Sequence, residues 1–192
     1  MRAVTPLQLV RPAVEHLPDY TAALQRGWSA DNIRGAVAAQ EELQRIAANP
    51  AAYLASCEDP QALGGPVTLP DGTQRPRIPG LRRWMWDEEG FAGSIGLRWA
   101  AGGGPLPPHV LGHIGYAVVP WKQQRGHATQ ALALMLGLAR AQGLTFVELT
   151  TDPDNGPSQR VITANGGVLV ETFDKGEAYG HMPGLRFRID LP

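Results

Sequence analysis

Apolar positions along this chain recur with two periods, and each change of period marks an element. Leu7, Leu9 and Val10 form a short apolar run closed by Pro12, which predicts a first strand over Leu7–Val10. Leu17, Tyr20 and Leu24 then fall at helical spacing. Pro18 suits a first turn, so a helix is expected from about there to Gly27. A second helix is expected within Ala36–Ala48, with Leu43, Ile46 and Ala47 as its apolar stripe. Asn49-Pro50 ends it, and Ala51–Cys57 adds a turn or two. Between residues 59 and 80 no period persists; Pro66–Leu69 with Asp71-Gly72 reads as a small hairpin or an extended flap. Alternation resumes over Leu81–Trp86, with Arg83 and Met85 on one face and Trp84 and Trp86 on the other. Phe91–Trp99 alternates again, and the polar turn Asp87-Glu88-Glu89-Gly90 joins the two runs into a hairpin.

The next apolar run, from His113 to Val119, is a strand stopped by Pro120, which lacks a ladder donor. Gln123, Gln124, Arg125 and Gly126 make a tight loop, and a helix then begins abruptly and runs to Gly143. Its apolar residues, from Ala128 through Leu132, Leu134 and Met135 to Ala139, lie on most sides, which predicts deep burial. Leu144–Thr151 is the following strand. A helix joins it to the central strand, so the two are expected to be parallel neighbours. Asn155-Gly156-Pro157-Ser158 opens another helix, capped by Asn155 or Gly156. Val168–Phe173 and Leu185–Ile189 are the last strands. The predicted order is β-α-α-β-β-β-α-β-α-β-β.

Composition narrows the function classes. A length of 192 residues suits one domain spanning 1–192. The formal net charge of −1 gives no electrostatic case for nucleic acid or an anionic membrane as partner. No window approaches a membrane span and the N-terminus lacks an apolar signal core, so a cytoplasmic location is expected. The single cysteine, Cys57, excludes an internal disulfide and a cysteine-cluster metal site. Asp152 and Asp154 have no histidine nearby and read as loop polarity, so no metal is expected.

The loop after the central strand carries the chemistry. A helix that starts abruptly presents unpaired amides and the positive end of its dipole, which together bind anions. Gly126 permits close backbone approach, Ala128 keeps the next inward position small, and Arg125 adds positive charge. By spacing alone, Asn155 and Ser158 read equally as a helix cap or as ligand contacts.

The spacing Gln123-x-x-Gly126-x-Ala128 resembles the pyrophosphate loop of the GCN5-related N-acetyltransferases (GNAT), written Arg/Gln-x-x-Gly-x-Gly/Ala. Val118-x-Pro120 precedes it at that family's distance. Asn155-x-x-Ser158 follows one helix and one strand later, and Asn165-Gly166-Gly167 ends a short helix, as in the family. The resemblance implies an α/β fold: a mixed, largely antiparallel central sheet flanked by helices, splayed between the fourth and fifth strands. It implies acetyl-CoA as co-substrate and no metal. The pantetheine arm then pairs as a pseudo-strand with backbone of Val118 and Val119. Gln123, Gln124, Arg125, Gly126, His127, Ala128 and Thr129 wrap the pyrophosphate, His127 through its amide alone. Asn155 and Ser158 approach the pantetheine or adenine side. The acceptor is a small-molecule or peptide amine, walled partly by the first two helices; a homodimer is compatible with this.

Many members of that family use a tyrosine as general acid on the helix after the Asn motif, at the position of Ile162 here. Tyr179 and His181, in the loop before the last strand, are the replacements considered, Tyr179 foremost. For the general base, His113 is the candidate, since the family often carries Glu or His on this strand. Its odd distance from Val118 turns it to the opposite face unless a bulge re-aims it, and a structural histidine is the competing reading. The missing tyrosine motivates one alternative function, a non-catalytic acyl-CoA-binding module. A nucleotide-binding α/β protein is set low, because Gly-Lys-Ser/Thr and a dinucleotide fingerprint are both lacking.

Overall fold

Two larger sheets, a two-stranded hairpin and five α-helices make up the computed structural model, which describes residues 6–192. In chain order the elements are β1 (Gln8–Val10), α1 (Leu17–Gln25), α2 (Ala36–Ala48), α3 (Pro50–Ser56), β2 (Glu58–Asp59), β3 (Val67–Thr68), β4 (Gln74–Arg75), β5 (Gly80–Asp87) and β6 (Gly90–Arg98). They continue with β7 (Ile114–Val118), α4 (His127–Ala141), β8 (Phe146–Thr151), α5 (Gly156–Ala164), β9 (Val168–Asp174) and β10 (Pro183–Asp190). Beside the expected elements the chain carries three further short strands, and the turn or two expected over Ala51–Cys57 is α3. The hairpin expected near Asp71-Gly72 is β3–β4, pairing Val67 with Arg75.

The first sheet has the order β1-β5-β6-β7, with β2 also paired to β5; the second has the order β8-β10-β9. Every pairing is antiparallel. The expected parallel pairing of β7 with β8 does not form. Among the described residues, the one backbone hydrogen bond between the two segments is from His113 N–H to the Glu148 carbonyl, at 2.7 Å, just before β7 begins. From that vertex they part, and this is the splay. Gly112 makes the vertex possible: a Cβ there would lie 2.9 Å from the Glu148 oxygen. Arg186 binds the same corner, donating to the Leu111 carbonyl at 3.0 Å and to the Glu148 carboxylate at 3.2 Å.

Strand alternation sorts the core into two parts. On one face Met85, Ile95, Leu97 and Ile114 pack against Ala131, Leu132 and Met135 of α4. On the other, Trp84 and Phe91 pack against Tyr20, Leu24 and Trp28, and the Tyr20 and Trp84 rings stack at 4.2 Å. Trp84 is thus core, as strand tryptophans usually are. The helix α4 buries less of itself than its composition predicts: Leu134 is 45% exposed, on the side away from the sheet.

Candidate active site

β7 delivers the chain to the loop. Val119 donates its amide to the Ala92 carbonyl at 3.0 Å, and the His113 carbonyl accepts from Arg98 at 2.8 Å. Both bonds run to β6, and they fix the parity of the strand. Odd residues of β7 bond to β6; even residues, Tyr116 and Val118 among them, turn their N–H and C=O toward the opening. Val118 therefore offers backbone to the splay. Val119, expected to do the same, does not, because its amide is already used and the residue is fully buried.

Pro120–Lys122 forms a single 3-10 turn, and the loop follows. Gln124 and Gly126 both have positive φ, +59° and +81°, so successive amides turn toward one side. A Cβ at Gly126 would find only the Gln130 amide group, at 4.0 Å. Glycine is thus required there by conformation, and the space before it is open. The first helical bond returning to the loop is from Gln130 N–H to the Gly126 carbonyl. The amides of residues 124–129 have no acceptor among the described residues. Gln123 to Gly126 are exposed, and Ala128 and Thr129 half-buried.

The side chains of the loop behave differently from its amides. The His127 ring is buried, so only its backbone faces the opening. Gln123 Nε2 turns back to the Val118 carbonyl at 3.4 Å. Arg125 is held by Glu89, at 2.8 Å, beside the Trp121 carbonyl. Beneath the loop lies a buried charged group that the sequence did not announce. Lys122 Nζ donates to Asp87 Oδ1 at 2.6 Å, with both side chains almost fully enclosed. His127 Nε2 lies 3.1 Å from Asp87 Oδ2, off the line of a hydrogen bond, and neither ring nitrogen has a hydrogen-bond partner among the described residues. Burial lowers the His127 pKa more than Asp87 raises it. Burial opposes the charge of Asp87, yet Lys122 and the Glu89 amide outweigh it and lower that pKa.

At the vertex, His113 is buried, and its Nδ1 accepts the Glu148 amide at 3.0 Å. The ring is therefore neutral with its proton on Nε2, and burial lowers its pKa. The β6–β7 register is continuous, so no bulge re-aims it. The lone pair expected to take a proton is already holding the two sheets together.

Across the opening, Tyr116 OH lies 2.9 Å from Ser158 Oγ and so links β7 to α5. Burial raises the Tyr116 pKa, with the Ser158 contact opposing. Alternation puts Tyr116 on the face of Val118, so the strand pattern itself carries the signal for this residue. Asn155 Oδ1 caps α5, accepting the Ser158 amide at 3.1 Å, which settles the cap in favour of Asn155. Ile162, in the place of the family tyrosine, is buried. Tyr179 lies outside this group. It is half-buried in the β9–β10 loop, its pKa raised by burial, with the charge of Arg98 opposing.

A family model described as "Acetyltransferase (GNAT) domain" matches residues 7–168. The chain belongs to the GNAT acetyltransferase family. Solved structures share the fold at low identity. One is the Salmonella typhimurium acetyltransferase that modifies the N-terminal serine of ribosomal protein L7/L12; it is 14% identical with a TM-score of 0.61, covering 99% of this chain and 97% of that one. A ribosomal L7/L12 alpha-N-protein acetyltransferase in complex with coenzyme A is 15% identical with a TM-score of 0.61, covering 98% and 96%. The microcin C7 self-immunity acetyltransferase, in complex with acetyl-CoA and AMP, is 11% identical with a TM-score of 0.57, covering 96% and 92%. No curated protein matches the chain. Within the GNAT fold, the splay and the amide-lined start of α4 lie at one mouth.

Proposed function

We propose that this chain, read as one GNAT-like domain over 1–192, transfers an acetyl group from acetyl-CoA to an amine by direct attack. The observation that carries the reading is the run of open amides at residues 124–129, at the mouth where β7 and β8 part. These amides and the α4 dipole suit a pyrophosphate, and Gly126 leaves room for it. Arg125 joins them by exchanging Glu89 for phosphate. Val118 offers its backbone to the pantetheine amides, and Asn155 and Ser158 border the arm from α5.

When bound, acetyl-CoA supplies the thioester carbonyl that the amine attacks and the thiolate that leaves. The outward-facing Tyr116 amide is suited to the developing oxyanion. The Tyr116 phenol is protonated at neutral pH, as a phenol ordinarily is, and it is the acid we assign to the leaving sulfur. His113 cannot serve as base while its Nδ1 holds the Glu148 amide. We assign it the role of clasp, and amine deprotonation falls to water. Tyr179 we assign to the acceptor side. Open positioning of this kind supports transfer without a dedicated base.

One observation favours a second reading. Ile162 fills the family's acid position with a buried apolar side chain, which suits a non-catalytic acyl-CoA-binding module. The experiment that separates the two is thiol release from acetyl-CoA across a panel of amines. Release above the hydrolysis rate is expected; tight CoA binding with no release from any amine would establish the module. No helix among the described residues is long and apolar enough to cross a membrane. A cytoplasmic location fits the balanced charge and the free, buried Cys57. A homodimer is supported by the exposed Val168, Leu169 and Val170 on the sheet-edge strand β9.

A further inference from the structure

The sheet face opposite α4 is not covered along its whole length. Trp84, Ser94 and Ala117 form one cross-strand row, and α1 and its aromatic residues lie over that part. The next row is Arg82, Gly96 and Gly115, and the row after it begins with Gly80 opposite Arg98. Three glycines therefore floor this end, at strand positions where side chains normally pack. A Cβ at Gly96 would meet only the Leu81 carbonyl, at 3.6 Å, so crowding does not demand glycine there. Interior strand glycines weaken a sheet and mark places where something approaches closely. Gly115 is exposed, and it belongs to β7, the strand that borders the splay.

Arg98 lies across this floor. Its Nη2 is 3.2 Å from where a Gly115 Cβ would stand. Of the arginines on β5 and β6, Arg82 and Arg83 meet Glu42 and Glu58, at 3.6 and 3.2 Å. Arg98 meets no carboxylate among the described residues. The side chain is exposed, yet surrounding groups desolvate it enough to lower its pKa; Arg82 lowers it further and Tyr179 opposes. Arg82 stands behind it, donating to Tyr53 OH at 3.3 Å. Glu42 accepts from Tyr53 at 2.6 Å and also from Tyr20, so its charge is shared among three partners. Two acids act on Tyr179: Asp31 accepts the amides of Ile33 and Arg34, and Asp71 accepts the amide and the hydroxyl of Thr73. None of these acids pairs with Arg98, so its exposed guanidinium is left for an incoming oxyanion.

We propose that Arg98, backed by Arg82 over the Gly96–Gly115 floor, is an oxyanion subsite that selects acceptor amines bearing a carboxylate or a phosphoryl-type group. This rests on the acetyltransferase reading, since it places the acceptor on the face of β7 opposite Tyr116. Planar guanidinium suits both oxyanions, and the floor admits the acceptor chain to the strand that borders the thioester's channel.

The test uses three amines of equal reach: 3-aminopropanoate, 2-aminoethylphosphonate and the neutral 3-aminopropanamide. Acetyl transfer gives kcat/KM for each, and titration calorimetry with CoA present gives their binding without turnover. The two anionic amines should exceed the amide by about 10–100-fold, the scale of a hydrogen bond to a charged group. Their ranking tells carboxylate from phosphoryl chemistry. Arg98→Gln should erase the preference while leaving the amide's kcat/KM and the melting shift with CoA unchanged; Arg98→Lys should restore part of it. Equal treatment of all three by the wild type, or a preference surviving Arg98→Gln, overturns the subsite and leaves the acetyltransferase reading standing. Arg98-dependent anion binding with no thiol release from any amine does the reverse.

Discussion

On the α4 side of the β7–β8 opening, the groups left open are backbone amides of residues 124–129, which have no acceptor among the described residues. On the α1–α3 side the proposed acceptor subsite is made of side chains: the exposed guanidinium of Arg98, with Arg82 behind it and Tyr179 beside it. Backbone donors are fixed by helix geometry and by two positive φ values, so that side suits a ligand that never changes. Side-chain donors are set residue by residue, so the other side suits a ligand that differs between relatives. The support differs as well. The amide side rests on a buried ion pair, Lys122–Asp87, packed under the loop. The side-chain side rests on an aromatic stack and a glycine floor.

The largest effect expected from breaking this contrast is at Lys122. Lys122→Met leaves the Asp87 carboxylate buried without its counter-charge, a loss of about 3–5 kcal/mol. Chemical denaturation reads it directly. The double variant Lys122→Met with Asp87→Asn should recover most of the loss; no recovery would mean that Lys122 acts through packing alone.

Next come the two polar groups of β7. Tyr116→Phe should lower kcat by about 10²–10⁴-fold, the range for a general acid, with CoA affinity nearly unchanged. His113→Ala should do the opposite. It leaves the Glu148 amide unpaired, so stability should fall by about 1–3 kcal/mol while the folded fraction keeps most of its turnover. A folded His113→Ala protein with turnover reduced as far as in Tyr116→Phe would return the base role to His113.

The smallest effect is in pH. His113 and His127 both titrate below the ordinary value of 6.5, because burial disfavours their charged forms. The unfolded chain then takes up protons first as pH falls. Their contribution is full above about pH 6.5 and is lost as the pH drops toward their folded values. Unfolding free energy measured between pH 7.5 and 5.5 should decline, and His127→Phe should flatten part of that slope. A stability that rises on acidification would contradict the buried neutral state.

What could be read from the chain follows the same division. Gln123-x-x-Gly126-x-Ala128 is local, so its loop, its helix start and its open amides were legible from adjacent residues. Asn155 likewise declares its cap within four positions. Lys122 looks like a solvated lysine until Asp87, 35 residues earlier, folds beneath it. His113 looks like a base until Glu148 occupies its ring nitrogen, and Tyr116 acquires a role only when Ser158 comes within reach, 42 residues on. The parallel pairing expected of β7 and β8 failed for a related reason. A helical crossover sets their direction, but Gly112 and Arg186 hold the vertex, and Tyr116 meets Ser158 beyond it.

The most direct test of the amide-built site is the melting temperature with CoA, in the wild type and in Gly126→Asp. At a hundred times Kd, binding adds about 2.7 kcal/mol, which for a chain of this size is a rise of about 5–10 °C. ATP and NAD should give markedly less. Gly126→Asp must hold a side chain at φ +81° and puts a carboxylate before the amides. It should cost about 1–3 kcal/mol of stability, fold, and show no shift with CoA. A folded Gly126→Asp protein that melts higher with CoA by as much as the wild type would contradict the assignment of these amides to the pyrophosphate.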